Sequence, residues 1–305
     1  MERDSGLPSR QIYVNSEDAL EYVDGKTSNI QFFFKDSLIC PKNCLMHISI
    51  VSAEIPVSYY LVNDNNNRFT YEFNGTQYTL FITKKNYNIT QLKDFFNSSS
   101  LNSTHGVSVT YDTTSNKLTF TCTNNTDTFV IKSTSTCQYL IGFSRGSNHT
   151  SSSGVLISDN VVDLSGLNAI YVVSNLPTNN IDSRNKGFSP ILGKIPVNSG
   201  YNGIISFNPA VPHHMHLQQS VFNFLHLTLE NQDMQIIDLN GLHWQMTLNI
   251  HFLYKEEYDP EKGNYTELPK GIDIPSNQIY THELKMKEDE AQKDTENGKG
   301  NTLSQ

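Results

Sequence analysis

Residues 244–254 read WQMTLNIHFLY, and this stretch decides the fold. Large apolar residues occupy every second position, and polar residues stand between them. The apolar positions are Trp244, Met246, Leu248, Ile250, Phe252 and Tyr254, and the polar positions are Gln245, Thr247, Asn249 and His251. Successive side chains of a β-strand point to opposite faces, so the pattern predicts a long strand with one face on a core. The other face would meet water or a partner.

Strand patterns also dominate the rest of the chain. In Val221–Glu230, leucines alternate with polar residues, which predicts a second half-buried strand. The leucines are Leu225, Leu227 and Leu229, and the polar residues are His226, Thr228 and Glu230. Further strands are predicted at residues 30–34, 46–55, 155–157, 169–173 and 204–207. Many short strands punctuated by Gly, Pro and Asn favour a β-sandwich, a barrel or a jelly roll.

One segment has a different pattern. Residues 69–73 and 78–82 predict a hairpin across the Asn74-Gly75 turn. Asn88 and Gln91 have the spacing of a helix N-terminal capping box, and apolar residues follow at helical intervals. A second hairpin is predicted from residues 107–111 and 118–122. The segment therefore reads strand, strand, helix, strand, strand.

Sequence typical of strands flanks this segment on both sides. We therefore expect an inserted small α+β domain within an interrupted β-sandwich, not two domains in tandem. The expected division is a flexible N-terminal arm at 1–10, jelly roll at 11–65, the inserted domain at 66–149 and jelly roll again at 150–265. Residues 282–305 carry many charges and no aromatic residue, so 266–305 are expected to form an extended, largely disordered tail.

Composition narrows the classes of function. A chain of 305 residues suffices for one large β domain or two modest ones. The net charge of −9 argues against a broad nucleic-acid-binding surface, because binding phosphates requires clustered Lys and Arg. No apolar run is long enough to cross a bilayer, and the polar N-terminus lacks the pattern of a signal peptide. We expect a soluble protein made inside the cell.

The four cysteines are Cys40, Cys44, Cys122 and Cys137. A structural zinc site usually takes two close pairs, each with turn geometry. The first two cysteines are separated by three residues, while Cys122 lies in a predicted strand and Cys137 follows a Ser/Thr-rich loop. Free buried thiols are therefore favoured over zinc.

A histidine cluster at residues 213–216, His-His-Met-His, is the strongest candidate for chemistry. Cupin metalloenzymes begin their sites with a His-x-His pair on a strand, which makes His214 and His216 candidate metal ligands. Such sites need a carboxylate soon afterwards, and the first acid here is Glu230. The preceding Pro-rich residues favour a loop. A metal site, an assembly-related ion and a solvated loop whose charge state tunes an interface remain open, and we favour the loop.

Other enzyme signatures are missing from the sequence. It contains no GxGxxG after a strand, no P-loop, no HExxH and no GxSxG. Tyr59, Tyr60 and Tyr87 could line a glycan pocket, although core or interface packing is favoured for them. We expect no catalytic residues and no cofactor.

Four stretches together resemble the penton, or minor capsid, proteins of virophages and polinton-like viruses. They are residues 50–63 (IVSAEIPVSYYLVN, followed by Asn65–Asn67), residues 85–92 (KNYNITQL), residues 191–197 (ILGKIPV) and residues 238–244 (DLNGLHW). The set spans residues 10 to 255 in the expected order. Residues 231–234, NQDM, depart from the more acidic turn that the family suggests.

The resemblance implies a single jelly roll that assembles as a homopentamer at the vertices of an icosahedral virion. It also implies trimeric double-jelly-roll major capsid proteins as neighbours, and assembly inside the host cell. The inserted domain would project outward, where it could contact a host-surface molecule or glycan. The polar faces of the two long strands become candidate subunit contacts: His226, Thr228, Glu230, Gln245, Thr247, Asn249 and His251.

Two alternatives from other classes remain open. A glycan-binding jelly-roll lectin would be a monomer or dimer that uses calcium or an aromatic platform. A cupin-like enzyme would bind a stoichiometric divalent metal on His214 and His216. No cluster of Asp and Asn has the spacing of a calcium loop.

Overall fold

The computed structural model describes residues 2–4, 8–178, 180–184, 186–255, 258–259 and 264–265. The tail predicted at residues 266–305 lies outside the described residues, as do residues 1 and 5–7 of the predicted N-terminal arm. Among the described residues, Glu2–Asp4 pair with the strand that contains residues 253–255.

The described residues form twenty-two strands, two α-helices and two 3-10 turns. The strands in chain order are β1 (Glu2–Asp4), β2 (Arg10–Asn15), β3 (Glu21–Tyr22), β4 (Asn29–Ile39), β5 (Cys44–Pro56), β6 (Arg68–Phe73), β7 (Thr76–Phe81), β8 (Val107–Asp112), β9 (Lys117–Cys122), β10 (Phe129–Ile131), β11 (His149–Thr150), β12 (Val155–Ile157), β13 (Ala169–Ser174), β14 (Ile181–Asp182), β15 (Gly187–Phe188), β16 (Ile191–Pro196), β17 (Ile204–Phe207), β18 (Met215–His216), β19 (Val221–Glu230), β20 (Gln245–Lys255), β21 (Tyr258–Asp259) and β22 (Asn264–Tyr265). The helices are α1 (Ile89–Ser98) and α2 (Ser100–Ser103), and the 3-10 turns are Ser16–Asp18 and Val23–Gly25.

Two antiparallel sheets build the main body. The first has the order β2–β20–β5, with β17 and β18 both paired to the far side of β5, and β1 extends it beside β20. The second has the order β4–β19–β13–β16, with β3 beside β4. Eight strands of these sheets can be numbered in chain order, with β17 and β18 counted as one interrupted strand and β1 and β3 left out. The first sheet then has the order 1-8-3-6 and the second has the order 2-7-4-5, which is the strand order of a jelly roll. The predicted mainly β, jelly-roll fold class is confirmed.

The long strands follow their predicted alternation. Met246, Leu248, Ile250 and Phe252 on β20 are buried, and Leu225, Leu227 and Leu229 on β19 are fully buried. These two sets belong to different sheets and meet in one hydrophobic core, which we call the first core. Its largest side chain, Trp244, is 1% exposed and donates its indole N–H to the Thr27 carbonyl at 2.8 Å. The alternation therefore fixes which face of each sheet turns inward.

A second core lies between β5 and β13 in the sequence. Its buried residues run from Val62 to Leu156, and they come from β6, α1, α2, β8, β9, β10, β12 and the loops between them. Phe120 lies at its centre, within 6.0 Å ring-centroid distance of Phe69, Phe96, Phe129 and Phe143. The buried residues of the second core and those of the first core are separate sets.

The predicted capping box at the start of α1 is confirmed. The Asn88 side chain accepts from the Gln91 N–H at 2.8 Å, and the Gln91 side chain accepts from the Asn88 N–H at 3.2 Å. These two bonds satisfy backbone donors that the first helical turn leaves unpaired. None of the helices in the described ranges is long and apolar enough to cross a membrane.

Both predicted hairpins form, but they belong to different sheets. The β6–β7 hairpin joins the sheet of order β11–β10–β6–β7, and the β8–β9 hairpin joins β12 in a three-stranded sheet. The sequence analysis placed residues 150–157 in the second part of the jelly roll, yet β12 pairs with β9, and Leu156 packs in the second core. Val162 and Leu164 also pack against the second core. The division into domains stays a prediction.

Candidate functional site

The polar face of β20 lies on the outer side of the first sheet. Gln245 is exposed, and Thr247 accepts from the Ser52 hydroxyl at 3.3 Å. The side-chain oxygen of Asn249 is buried and has no hydrogen-bond partner among the described residues, and the ring of His251 lies 5.6 Å from that of His214. The outer side of β20 therefore combines an exposed end with a more enclosed polar region.

Histidines from three neighbouring strands line up in this enclosed region. His47 on β5 is paired in register with His251 on β20 and with His216 on β18. The rings of His47 and His216 lie 5.5 Å apart. Burial, which removes part of the hydration of the ring, lowers the pKa of His214. The nearby His251 and His213 lower this pKa further. The cluster is thus arranged to resist protonation at His214.

The sequence predicts a loop through all four residues 213–216. That expectation is wrong for Met215 and His216, which form β18 against β5. The Leu217 N–H donates to the Met46 carbonyl at 2.8 Å, which continues the pairing with β5. In the described part of the chain, no three His, Cys, Asp or Glu side chains are grouped so that they could hold a metal ion. His214 and His216 therefore have no third ligand among those residues.

The polar face of β19 is engaged within the chain. His226 and Thr228 both contact the side-chain oxygen of Asn29, at 2.6 and 3.4 Å. Burial lowers the pKa of His226. Glu230 accepts from Arg184 at 3.4 Å, and burial raises the pKa of Glu230 although Arg184 opposes this shift.

These two sets of candidate contact residues are not brought together. β19 belongs to the second sheet and β20 to the first, so their outward side chains face opposite sides of the sandwich. A single flat contact surface cannot contain both sets.

The four cysteines all lie in the described part of the chain, and none of them forms a disulfide there. Burial raises the pKa of Cys137 to about 12, and burial together with the neighbouring Cys40 raises that of Cys44 to about 11. Both thiols therefore stay protonated and weakly nucleophilic at neutral pH.

A groove lies where the two cores meet. Its walls come from the segment after β5, the β19–β20 connection, the segment before β13 and Tyr139, which lies between β10 and β11. The side chains of Tyr59 and Tyr60 line it, together with Asn231 and Gln235. A neighbouring depression shares Asn65, Asn66, Tyr139 and Gln235 with it, so the two adjoin.

Internal hydrogen bonds fix the groove walls. The Asn66 amide donates to the Leu61 carbonyl at 2.9 Å and to the Tyr139 hydroxyl at 3.0 Å. The Asn231 side-chain oxygen accepts from the N–H groups of Asp233 and Gln235, both at 2.9 Å, which closes the turn after β19. These side chains have little freedom to move.

One ion pair joins the two cores beside the groove. Arg145 donates to both carboxylate oxygens of Asp233 at 3.1 Å, and its guanidinium lies 4.0 Å from the centre of the Tyr139 ring. The hydrogen bond to Asp233 raises the pKa of Arg145. This bidentate contact connects the second core to the β19–β20 turn.

The sequence analysis grouped Tyr59, Tyr60 and Tyr87, and the structure separates them. Tyr87 is 6% exposed in the second core and packs edge-on against Phe95, whereas Tyr59 and Tyr60 line the groove. Tyr139, Asn231 and Gln235 were missed because they come from segments far apart in the chain. The density of Asn in residues 63–67 is the only local signal, and by itself it is typical of a turn.

No protein-family model matches the chain, and no curated protein matches it. Among solved structures, the chain is similar to the crystal structure of SeMet-labelled mavirus penton protein. The TM-score is 0.41 with 12% sequence identity, and the likeness covers 80% of this chain and 98% of that chain.

Proposed function

We propose that this chain is a structural capsid protein that forms homopentamers at the vertices of an icosahedral virion and catalyses no reaction. The observation that carries the proposal is the jelly-roll strand order, with the stretches that resemble penton proteins placed at its joints. Fold alone does not define function. The ordered resemblance supplies the link to a vertex role.

The resembling stretches contact one another around the jelly roll. Residues 50–63 end β5, and residues 238–244 lead into β20. The Ser58 hydroxyl donates to the Leu239 carbonyl at 2.6 Å, and the Asn240 amide donates to the Ser58 carbonyl at 2.5 Å. The stretch at 191–197 contains β16 and buries Leu192 and Ile195 in the first core. Short stretches that are far apart in the sequence are therefore parts of one jelly roll.

Exposed sheet edges support self-assembly. β17 and β18 form one edge of the first sheet, and β2 forms much of the other. Large apolar side chains are exposed at both: Tyr13 on β2 is 77% exposed, and Ile204 on β17 is 63% exposed. A closed ring would cover such edges and apolar residues with neighbouring copies, which removes an aggregation hazard.

The vertex role implies further partners and a location. Trimeric double-jelly-roll major capsid proteins would surround each pentamer, in virions assembled inside the host cell. The residues of the second core, which interrupt the jelly roll between β5 and β13, would project outward and reach a host-surface molecule. Replacing residues 62–164 with a short linker should abolish host attachment and preserve pentamers. Full attachment by such pentamers would refute the contact role.

The location is tested by cryo-electron microscopy of virions that contain this protein. The proposal predicts five copies of the jelly roll around each five-fold axis, with the second core on the outer side. Density for the chain on the capsid faces, or its absence from the virion, would overturn the vertex role.

A further inference from the structure

We propose that Cys40 and Cys44 form a reversible redox site, in which a low-molecular-weight disulfide such as oxidised glutathione converts the two thiols into an intramolecular disulfide bond. The site lies at the turn between β4 and β5, so it connects the end of a strand of the second sheet with the start of a strand of the first sheet. The inference does not depend on assembly at a vertex, because both cysteines belong to one turn of one chain.

The turn holds the two cysteines close together. The Cys44 N–H donates to the Pro41 carbonyl at 3.1 Å, which closes a tight reversal of the chain. Asn43 has a φ of 60°, a left-handed conformation that Asn adopts more readily than most residues. The Cys40 thiol donates to the Cys44 carbonyl at 3.3 Å. Disulfides join residues whose Cα atoms lie within about 7 Å, and a turn that directs the Cys40 sulfur at the Cys44 backbone is suited to that spacing.

A small oxidant can reach this pair more readily than the other two cysteines. Residues 42–43 at the tip of the turn are exposed, and Cys40 and Cys44 are each half-buried. By contrast, Cys122 is 5% exposed and Cys137 is 0% exposed, and both lie in the second core. Thiols that are buried in apolar surroundings are inert. Cys122 and Cys137 therefore provide an internal comparison within the same molecule.

The two thiols also influence each other. Burial, and then the neighbouring Cys40, raise the pKa of Cys44 to about 11. Negative charge at Cys40 therefore opposes a thiolate at Cys44, whereas a disulfide between the two carries no charge. Because the thiolate is the reactive form, we expect oxidation to be slow at neutral pH and faster in mildly alkaline solution.

The exchange balances with oxidised glutathione as the oxidant. The thiolate of one cysteine attacks a sulfur of the glutathione disulfide, the S–S bond of glutathione breaks, and one glutathione leaves as a thiolate. The second cysteine loses its proton to solvent and attacks the protein sulfur of the mixed disulfide, which expels the other glutathione. The two cysteines lose two electrons and two protons, and the glutathione disulfide gains them as it is reduced to two glutathione thiols.

The disulfide would fasten one corner of the jelly roll. Both thiols pack against the first core. The Cys40 N–H donates to the Ser220 carbonyl at 2.6 Å, and Cys44 is in register with Tyr254 on β20. A disulfide that closes a loop of about five residues stabilises modestly, so oxidation should raise the melting temperature by about 2–5 °C. Since the cytosol keeps thiols reduced, the corner would be fastened only after the protein leaves a cell.

The test is tryptic peptide mapping of the purified full chain after incubation with oxidised glutathione at about pH 8.5, where more thiolate is present. Remaining thiols are alkylated before digestion. Trypsin cleaves after Lys42, which lies between the two cysteines, so peptides 36–42 and 43–68 stay joined only through a disulfide. We expect joined peptides from most of the protein and their separation by dithiothreitol. Cys122 and Cys137 should be alkylated only after unfolding.

Two variants provide the controls. Cys44→Ser should abolish the joined peptides, and it should melt at the same temperature with and without the oxidant. Cys122→Ala should retain both the joined peptides and the rise in melting temperature. The inference is overturned if Cys40 and Cys44 carry separate glutathione adducts, if either is joined to another cysteine, or if the peptides separate without a reductant. It is also overturned if the joined protein melts no higher than the reduced protein.

Discussion

At the scale of single residues, Gly142 illustrates a position where backbone and packing both demand glycine. Its φ is +82°, and a Cβ at this position would lie 2.5 Å from the Asn160 carbonyl oxygen. Gly146 has a similar φ of +76° with nothing within 4 Å. The two glycines therefore share the backbone requirement and differ in the space around them.

Gly142→Ala should destabilise the protein more than Gly146→Ala. Gly146→Ala should cost about 1 kcal/mol, from the left-handed backbone alone. Gly142→Ala should cost at least about 2 kcal/mol more, because a backbone carbonyl cannot move aside as a flexible side chain can. Urea denaturation measures both free energies of unfolding, and equal losses for the two variants would contradict the packing argument.

His214 gives the residue-scale prediction for pH. Its pKa is lowered in the folded protein. As the pH falls towards and below the ordinary histidine pKa of about 6.5, this group therefore binds more protons in the unfolded chain than in the folded protein. The stabilisation is present above that pH and is lost on acidification. The melting temperature should therefore fall between about pH 7.5 and pH 5.5, and it should fall less for His214→Gln. Identical slopes for wild type and variant would rule out this role.

At the scale of elements, the capping box of α1 can be tested by one substitution. Asn88→Ala removes the side-chain acceptor for the Gln91 N–H and should cost about 1 kcal/mol of unfolding free energy. Asn88→Ser retains an acceptor and serves as the matched control. If both variants were as stable as the wild type, the cap would contribute nothing to stability.

The elements that the sequence predicts are those with a local signal. β19 and β20 are long enough for alternation to define their buried faces, and α1 carries both a cap and an apolar stripe. β18 has only two residues, so no periodicity marks it, and its existence depends on the free edge of β5. Residues 155–157 are predicted as a strand from their own sequence, but their pairing with β9 depends on residues distant in the chain and has no local signal. The groove residues were only partly predicted for the same reason.

At the scale of the whole molecule, the two cores should respond separately to mutation. Trp244 is the sole tryptophan and lies in the first core, so its fluorescence reports on the jelly roll. Phe120→Ala should destabilise the second core by about 3–5 kcal/mol. We expect far-UV circular dichroism to show an early partial transition while the Trp244 emission changes late. Coincident transitions would show that the cores unfold as one unit.

The jelly-roll frame has surfaces that a ring of copies would use. Its first sheet ends in strands with exposed apolar residues at both edges, and its candidate contact residues lie on opposite outer faces. In a ring, each copy presents two different surfaces to its two neighbours. A head-to-tail contact of this kind would use surfaces on opposite sides of the molecule.

The most direct test is the native mass of the purified full chain, measured by size-exclusion chromatography with light scattering. We expect a homopentamer of about 172.5 kDa, five times the 34.5 kDa of one chain. Tyr13→Asp and Ile204→Asp should each shift that mass towards the monomer, because each places a charge on an exposed apolar edge. A wild-type chain that remains at 34.5 kDa would contradict the account.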